Sequence, residues 1–124
     1  MRPDTAFRND ARAKVTGRAT YADDISIAGM LHAAPVYADY VSAKDLVIDA
    51  AEALASPGCV RVITAADVPG SARFGQIEKD YPIFCSGRVR SYGDVCALVV
   101  AETRAAATRN MTMAVVMPAL TSTP

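Results

Sequence analysis

Val95-Cys96-Ala97-Leu98-Val99-Val100-Ala101 is uncharged and rich in valine. A short run that is apolar on both of its alternating faces predicts a strand covered on both sides, and so a central one. The flanks follow from it. Downstream, Thr103 predicts a cap for a helix beginning Arg104-Ala105-Ala106-Ala107. Upstream, Gly93-Asp94 predicts a turn or bulge. Val89-Arg90-Ser91-Tyr92 before it alternates weakly.

A central strand needs neighbours. Leu31 to Val41 is apolar and alternating, and both of its faces read as partly buried. Pro35 cannot donate to a ladder, which predicts an edge position or a bulge there. Lys44-Asp45-Leu46-Val47-Ile48 reads as a second short strand. Asp49 then predicts a helix start, accepting from the amide of Glu52 while the Glu52 side chain reaches back. Alanines carry that helix to Ala55, and Ser56-Pro57-Gly58 stops it. Cys59-Val60-Arg61-Val62-Ile63 is the next strand. Thr64 to Asp67 predicts one helical turn, ended by Pro69-Gly70. Residues 70–82 are polar and irregular, and a loop of that length predicts a functional or interface role.

The whole chain has 124 residues, which sets a prior of one domain. Its 13 basic and 13 acidic residues balance, which argues against nucleic acid as a partner. No run of about 18 apolar residues predicts a membrane span. Cys59, Cys85 and Cys96 are odd in number and far apart, with neither disulfide-framework nor zinc spacing. That pattern and the lack of a signal-like leader predict a reducing, cytoplasmic setting. Residues 1–18 carry five basic residues against two aspartates and read as an extended arm or irregular lead-in. Residues 111–124 carry no charge and three of the five methionines, a shift in composition.

Candidate chemistry is sparse. No GxGxxG or GxxxxGK[ST] loop occurs. Asp23-Asp24 reads as a solvated turn, because adjacent strand carboxylates diverge. His32, the single histidine, has no nucleophile pattern beside it and reads as structural. Cys59 and Cys96 fall on apolar strands and read as small hydrophobes, whereas Cys85, next to the loop, is expected to be more exposed. Arg61, Arg73, Lys79, Arg88 and Arg90 could line one surface suited to an acidic protein partner. These residues supply no catalytic, cofactor-binding or metal constellation.

A longer pattern is specific. Arg8-Asn9-Asp10-Ala11, Lys14-Val15-Thr16-Gly17, Tyr21 and Asp23-Asp24-Ile25 together resemble the start of the large subunit of molybdenum hydroxylases, the xanthine dehydrogenase and aldehyde oxidase family. Met30-Leu31-His32-Ala33, Ile48-Asp49, Pro57-Gly58, Val62 to Gly70, Val89 to Gly93 and Ala97 to Thr103 continue the resemblance in order. It covers about residues 8–107. Departures are Asp94, where relatives often carry glutamine, Ser42, where they often carry histidine, and the chain from Thr108 onward.

The resemblance implies an α+β fold, the α/β hammerhead domain, with a mixed sheet and short helices. It divides the chain into an arm at 1–18, the hammerhead domain at 19–107 and a divergent tail at 108–124. It implies a non-catalytic scaffold that packs on molybdopterin-binding domains and an iron–sulfur subunit. Molybdopterin, iron–sulfur clusters and FAD would then reside on those other parts, with none bound by this chain alone. The parent reaction would hydroxylate an aldehyde or N-heterocycle with oxygen from water. Asp80-Tyr81-Pro82-Ile83-Phe84 matches a stretch preceded in some relatives by a substrate-channel loop, which would put Ile77 and Glu78 at the channel. Two other readings are a remnant of a disrupted subunit and an independent interaction module docking through 1–18 or 70–82.

Overall fold

The computed structural model describes residues 8–118. Residues 1–7 of the arm and 119–124 of the tail lie outside them. The chain divides into two compact units, Met1–Met30 and Leu31–Pro124.

The first unit contains helix α1 (Ala11–Val15) and a 3-10 turn at Ala22–Asp24. The expected extended arm is corrected here: Asp10 pairs with Arg8 at 3.0 Å and, one turn on, with Lys14 at 2.8 Å. That i,i+4 pair supports a helix in a stretch of good helix formers. At the turn, Asp24 Oδ2 accepts from the Tyr21 N–H at 2.9 Å, so Asp23-Asp24 forms the exposed turn expected of it.

The second unit contains, in chain order, β1 (His32–Tyr37), β2 (Ala43–Lys44), β3 (Leu46–Asp49), α2 (Ala51–Ala55), β4 (Cys59–Thr64), β5 (Arg73–Phe74), β6 (Tyr81–Pro82), β7 (Arg88–Val89), β8 (Val95–Ala101), α3 (Arg104–Met111) and β9 (Val115–Pro118). The main sheet has the order β1-β8-β4, so the opening stretch is indeed central. Ala97, Val99 and Ala101 are buried on one face of β8, and Cys96 on the other. β1 is an edge strand, where the missing Pro35 donor is tolerated, and its register shifts between Val36 and Tyr37. Only one face of β1 is buried, through Ala34 and Val36, while Ala33 and Tyr37 are exposed. Burial on both faces is therefore corrected to burial on one.

Every strand pair among the described residues is antiparallel, where a mixed sheet is the sequence expectation. β1 and β4 run alike, but β8 lies between them and opposes both. The expected strand over 44–48 is broken at Asp45, whose φ of 53° turns the chain. Its two halves go to different partners, β2 to β7 and β3 to β9.

α2 starts differently from its prediction. Asp49 Oδ1 accepts from the Ala51 N–H at 3.0 Å, one residue nearer than Glu52, and Ala50 is the cap residue. α3 is capped as expected, with Thr103 Oγ1 accepting from the Ala106 N–H at 3.1 Å. α3 packs on β1 and β8, and α2 on β4. Small residues allow this closeness: Ala53, Ala106 and Ala107 are buried, and a Cβ on Gly58 would come within 3.3 Å of Ala106 Cβ. Gly58 also has a φ of +80°, open to glycine at no steric cost.

The boundary drawn between residues 107 and 108 falls inside α3, and the chain beyond it folds back as β9. Val116 is buried opposite Ile48, and Ala114 is buried in the same cluster. The 3-10 turn at Ala65–Asp67 agrees with its prediction, and Asp67 Oδ2 accepts from the Thr64 N–H at 2.9 Å. Residues 70–82 are less irregular than expected. β5 and β6 pair across them, and the rings of Phe74 and Tyr81 meet edge to face at 5.3 Å.

Candidate functional site

Three features of the second unit are candidates. The first is a groove of about 730 Å³. One wall is the end of β1 and the residues after it, from Pro35 to Tyr40; the other runs from Met111 to Val116. Both walls follow from packing already described, since α3 sits on β1 and the chain returns as β9 beside it. The lining is largely apolar, and Tyr37 and Tyr92 stand exposed at its rim. Exposed aromatics beside an uncovered apolar groove are the composition of a surface that binds another.

The second is the turn before β8. Asp94 Oδ2 accepts from the N–H groups of Arg90 at 2.9 Å and Ser91 at 3.2 Å, and Oδ1 accepts from the Ser91 hydroxyl at 2.8 Å. The Arg90 N–H, with the Ser91 groups, holds the Asp94 carboxyl below the ordinary carboxylate range. The Cys85 Sγ lies 3.5 Å from Asp94 Oδ2. Cys85 is buried rather than exposed, because its N–H bonds the Val95 carbonyl at 2.8 Å and draws it against β8. Burial first, then the neighbouring Cys96 and Asp94, pushes its thiol up to about 12. Burial also raises Cys96.

A carboxylate lowered on folding stabilises the fold above its unfolded pKa, and that contribution disappears as pH falls through the folded value. Stability should therefore decline on acidification, and Asp94→Asn should flatten that decline while lowering stability at neutral pH. Urea melts of both chains from neutral to acidic pH check this. Parallel pH profiles would show that Asp94 is not a source of the decline.

The third is the β5–β6 ribbon, which carries Ile77 and Glu78 in its connection. Both are exposed, Ile77 at 99%. Gly75 shapes the connection: a Cβ there would lie 1.7 Å from the Glu78 carbonyl oxygen, so the chain closes tightly only with glycine. Of the basic residues expected on one surface, Arg61 is tied to Asp67 and Arg73 reaches the Asp80 carbonyl at 3.5 Å. His32 is half-buried on β1, opposite Ala101. Sequence reasoning did not single out the groove, because residues some 75 positions apart make it; the uncharged stretch 111–116 was its only local sign.

Among the described residues no three His, Cys, Asp or Glu side chains gather as a metal-ligand set. Their buried thiols are held protonated. No helix among them is long and apolar enough to cross a membrane.

Residues 16–117 match the family model described as aldehyde oxidase and xanthine dehydrogenase, a/b hammerhead domain. The match runs past Thr108, where the sequence reading ends the resemblance. A xanthine dehydrogenase of Oryza sativa subsp. japonica is 40% identical over 95 residues, covering 76% of this chain and 7% of that protein. The nicotinate dehydrogenase large molybdopterin subunit of Eubacterium barkeri is 37% identical over 94 residues, covering 76% of this chain and 22% of that protein. Among solved structures, the aldehyde oxidoreductase from Desulfovibrio gigas superposes with a TM-score of 0.82 at 38% identity, covering 89% of this chain and 14% of that one. The chain thus spans less than a quarter of the length of each.

Proposed function

The chain belongs to the aldehyde oxidase and xanthine dehydrogenase family, a family of molybdenum enzymes, as its a/b hammerhead domain, and from that premise we propose that it is a non-catalytic scaffold. It docks on the molybdopterin-binding domains of the same enzyme class and, beside them, on the iron–sulfur subunit or domain. Those parts carry the molybdopterin, iron–sulfur clusters and FAD, which supply hydroxylation and electron removal when bound. This chain contributes shape: a rigid antiparallel sheet, an apolar groove and a projecting ribbon.

The observation that carries this reading is the uncovered groove with Tyr37 and Tyr92 at its rim. Burying such a surface against a partner is favourable in proportion to its apolar area. Ile77 and Glu78 form the wall of the substrate entrance, a role supported by their exposure in the connection between β5 and β6.

A hybrid tests this, with residues 16–117 replacing the corresponding domain of the Desulfovibrio gigas aldehyde oxidoreductase. The hybrid should assemble with its full molybdenum content and oxidise aldehydes. Ile77→Ala and Glu78→Ala within it should raise KM several-fold and leave kcat nearly unchanged, as loss of uniform binding does. An assembled, molybdenum-loaded hybrid without activity would contradict the scaffold reading. Unchanged kinetics in both variants would remove the channel role of this pair.

A further inference from the structure

Two of the three cysteines converge on one residue. Cys85 lies between β6 and β7, and its Sγ donates to Asp94 Oδ2 at 3.5 Å. Cys96 is the second residue of β8, and its Sγ donates to the Asp94 backbone carbonyl at 3.7 Å. Both thiols therefore lie within hydrogen-bond range of the same residue, Asp94. Both belong to one buried cluster. The bond from the Cys85 N–H to the Val95 carbonyl, 2.8 Å long, holds the two stretches of backbone side by side. A disulfide requires Cβ atoms about 3.5–4.5 Å apart, and Val95, the residue that the Cys85 N–H meets, is the chain neighbour of Cys96.

Cys59 does not compete. It pairs with Ala101, five residues along β8 from Cys96, or about 17 Å at the rise of an antiparallel strand.

We propose that Cys85 and Cys96 are a dithiol site that a low-molecular-weight disulfide of the glutathione type converts to an internal disulfide, pinning the 85–94 segment to β8. The order of events follows from access. A small opening of about 110 Å³ is lined by Cys85, Ser91 and Asp94, and Cys96 is not among its lining residues. The Cys85 thiolate attacks one sulfur of the small disulfide, forming a mixed disulfide and releasing one thiol. The Cys96 thiolate then attacks the Cys85 sulfur, forming the protein disulfide and releasing the second thiol. Two protein thiols are oxidised, one small disulfide is reduced, and the two protons pass to the released thiolates. Burial holds both thiols protonated at rest. Oxidation is therefore slow at neutral pH and accelerates as pH rises, because the thiolate is the nucleophile.

The test uses the full chain under native conditions, in mixtures of oxidised and reduced glutathione. Samples are acid-quenched, alkylated, digested and mapped by mass spectrometry. The expected product has a single bridge between Cys85 and Cys96, Cys59 alkylated, and a raised Tm. A transient glutathione adduct should appear on Cys85 first, and Cys59→Ser should leave the result unchanged. In urea the bridges should redistribute to include Cys59. A native product with Cys59 in the bridge would overturn the proposal. So would a native chain that stays reduced in mixtures that oxidise it in urea.

Discussion

Val99→Asp should leave no folded population at neutral pH. Val99 is fully buried at the centre of the middle strand. A lone carboxylate placed there would lose its hydration without gaining a partner, at a cost of several kcal/mol. Domains of this size are stable by about 5–15 kcal/mol in total. This one has little surplus, because eight of its fifteen buried apolar residues among those described are alanines. Each alanine removes little apolar area from water compared with leucine or isoleucine. Val60→Asp is the control: on β4 it is half-exposed, so the substitution should shift stability far less. Far-UV circular dichroism and urea melts compare the two. A Val99→Asp chain with native melting would mean that β8 is not the centre of the core.

Asn110→Leu should do the reverse. Asn110 is fully buried near the end of α3, and among the described residues neither its Nδ2 nor its Oδ1 has a hydrogen-bond partner. An unsatisfied buried polar group costs about 1–3 kcal/mol. Leucine has a similar branched shape, satisfies its own burial and is a better helix former. The variant should gain roughly that energy, which for a domain of about 100 residues raises Tm by about 4–8 °C per kcal/mol. Asn110→Ala removes the same unpaired amide without filling its space, and should gain less. Differential scanning calorimetry reads both. A lower Tm in both variants would mean that the amide has a partner, such as a bound water, that stabilises the fold.

The sequence made the parts governed by local chemistry legible. The β8 run showed its centrality through the absence of any polar face, and Thr103 announced α3 through a cap that operates within three residues. Pro35 marked an edge because it lacks a donor. The rest depended on contacts between distant residues. Cys85 is buried because Val95 and Asp94 hold it, and nothing in Phe84-Cys85-Ser86 records that. The break at Asp45 is visible only once Leu46 and Ile48 are seen to pair with Val116 and Pro118, some seventy residues away. The tail looked foreign because β9 is a short strand with one buried residue, too brief to show alternation. The family pattern was legible across most of the chain. The groove was not, because it forms only when α3 and β9 return to the end of β1.

The proposed scaffold role requires this domain to be covered by the rest of a molybdenum hydroxylase subunit. The most direct measurement is sedimentation velocity of the chain with the Desulfovibrio gigas aldehyde oxidoreductase, made without its own hammerhead domain. A one-to-one complex is expected, and Tyr92→Asp at the groove rim should weaken it at least tenfold while the free domain melts as before. Two species that sediment independently at every concentration, each still folded, would contradict the account.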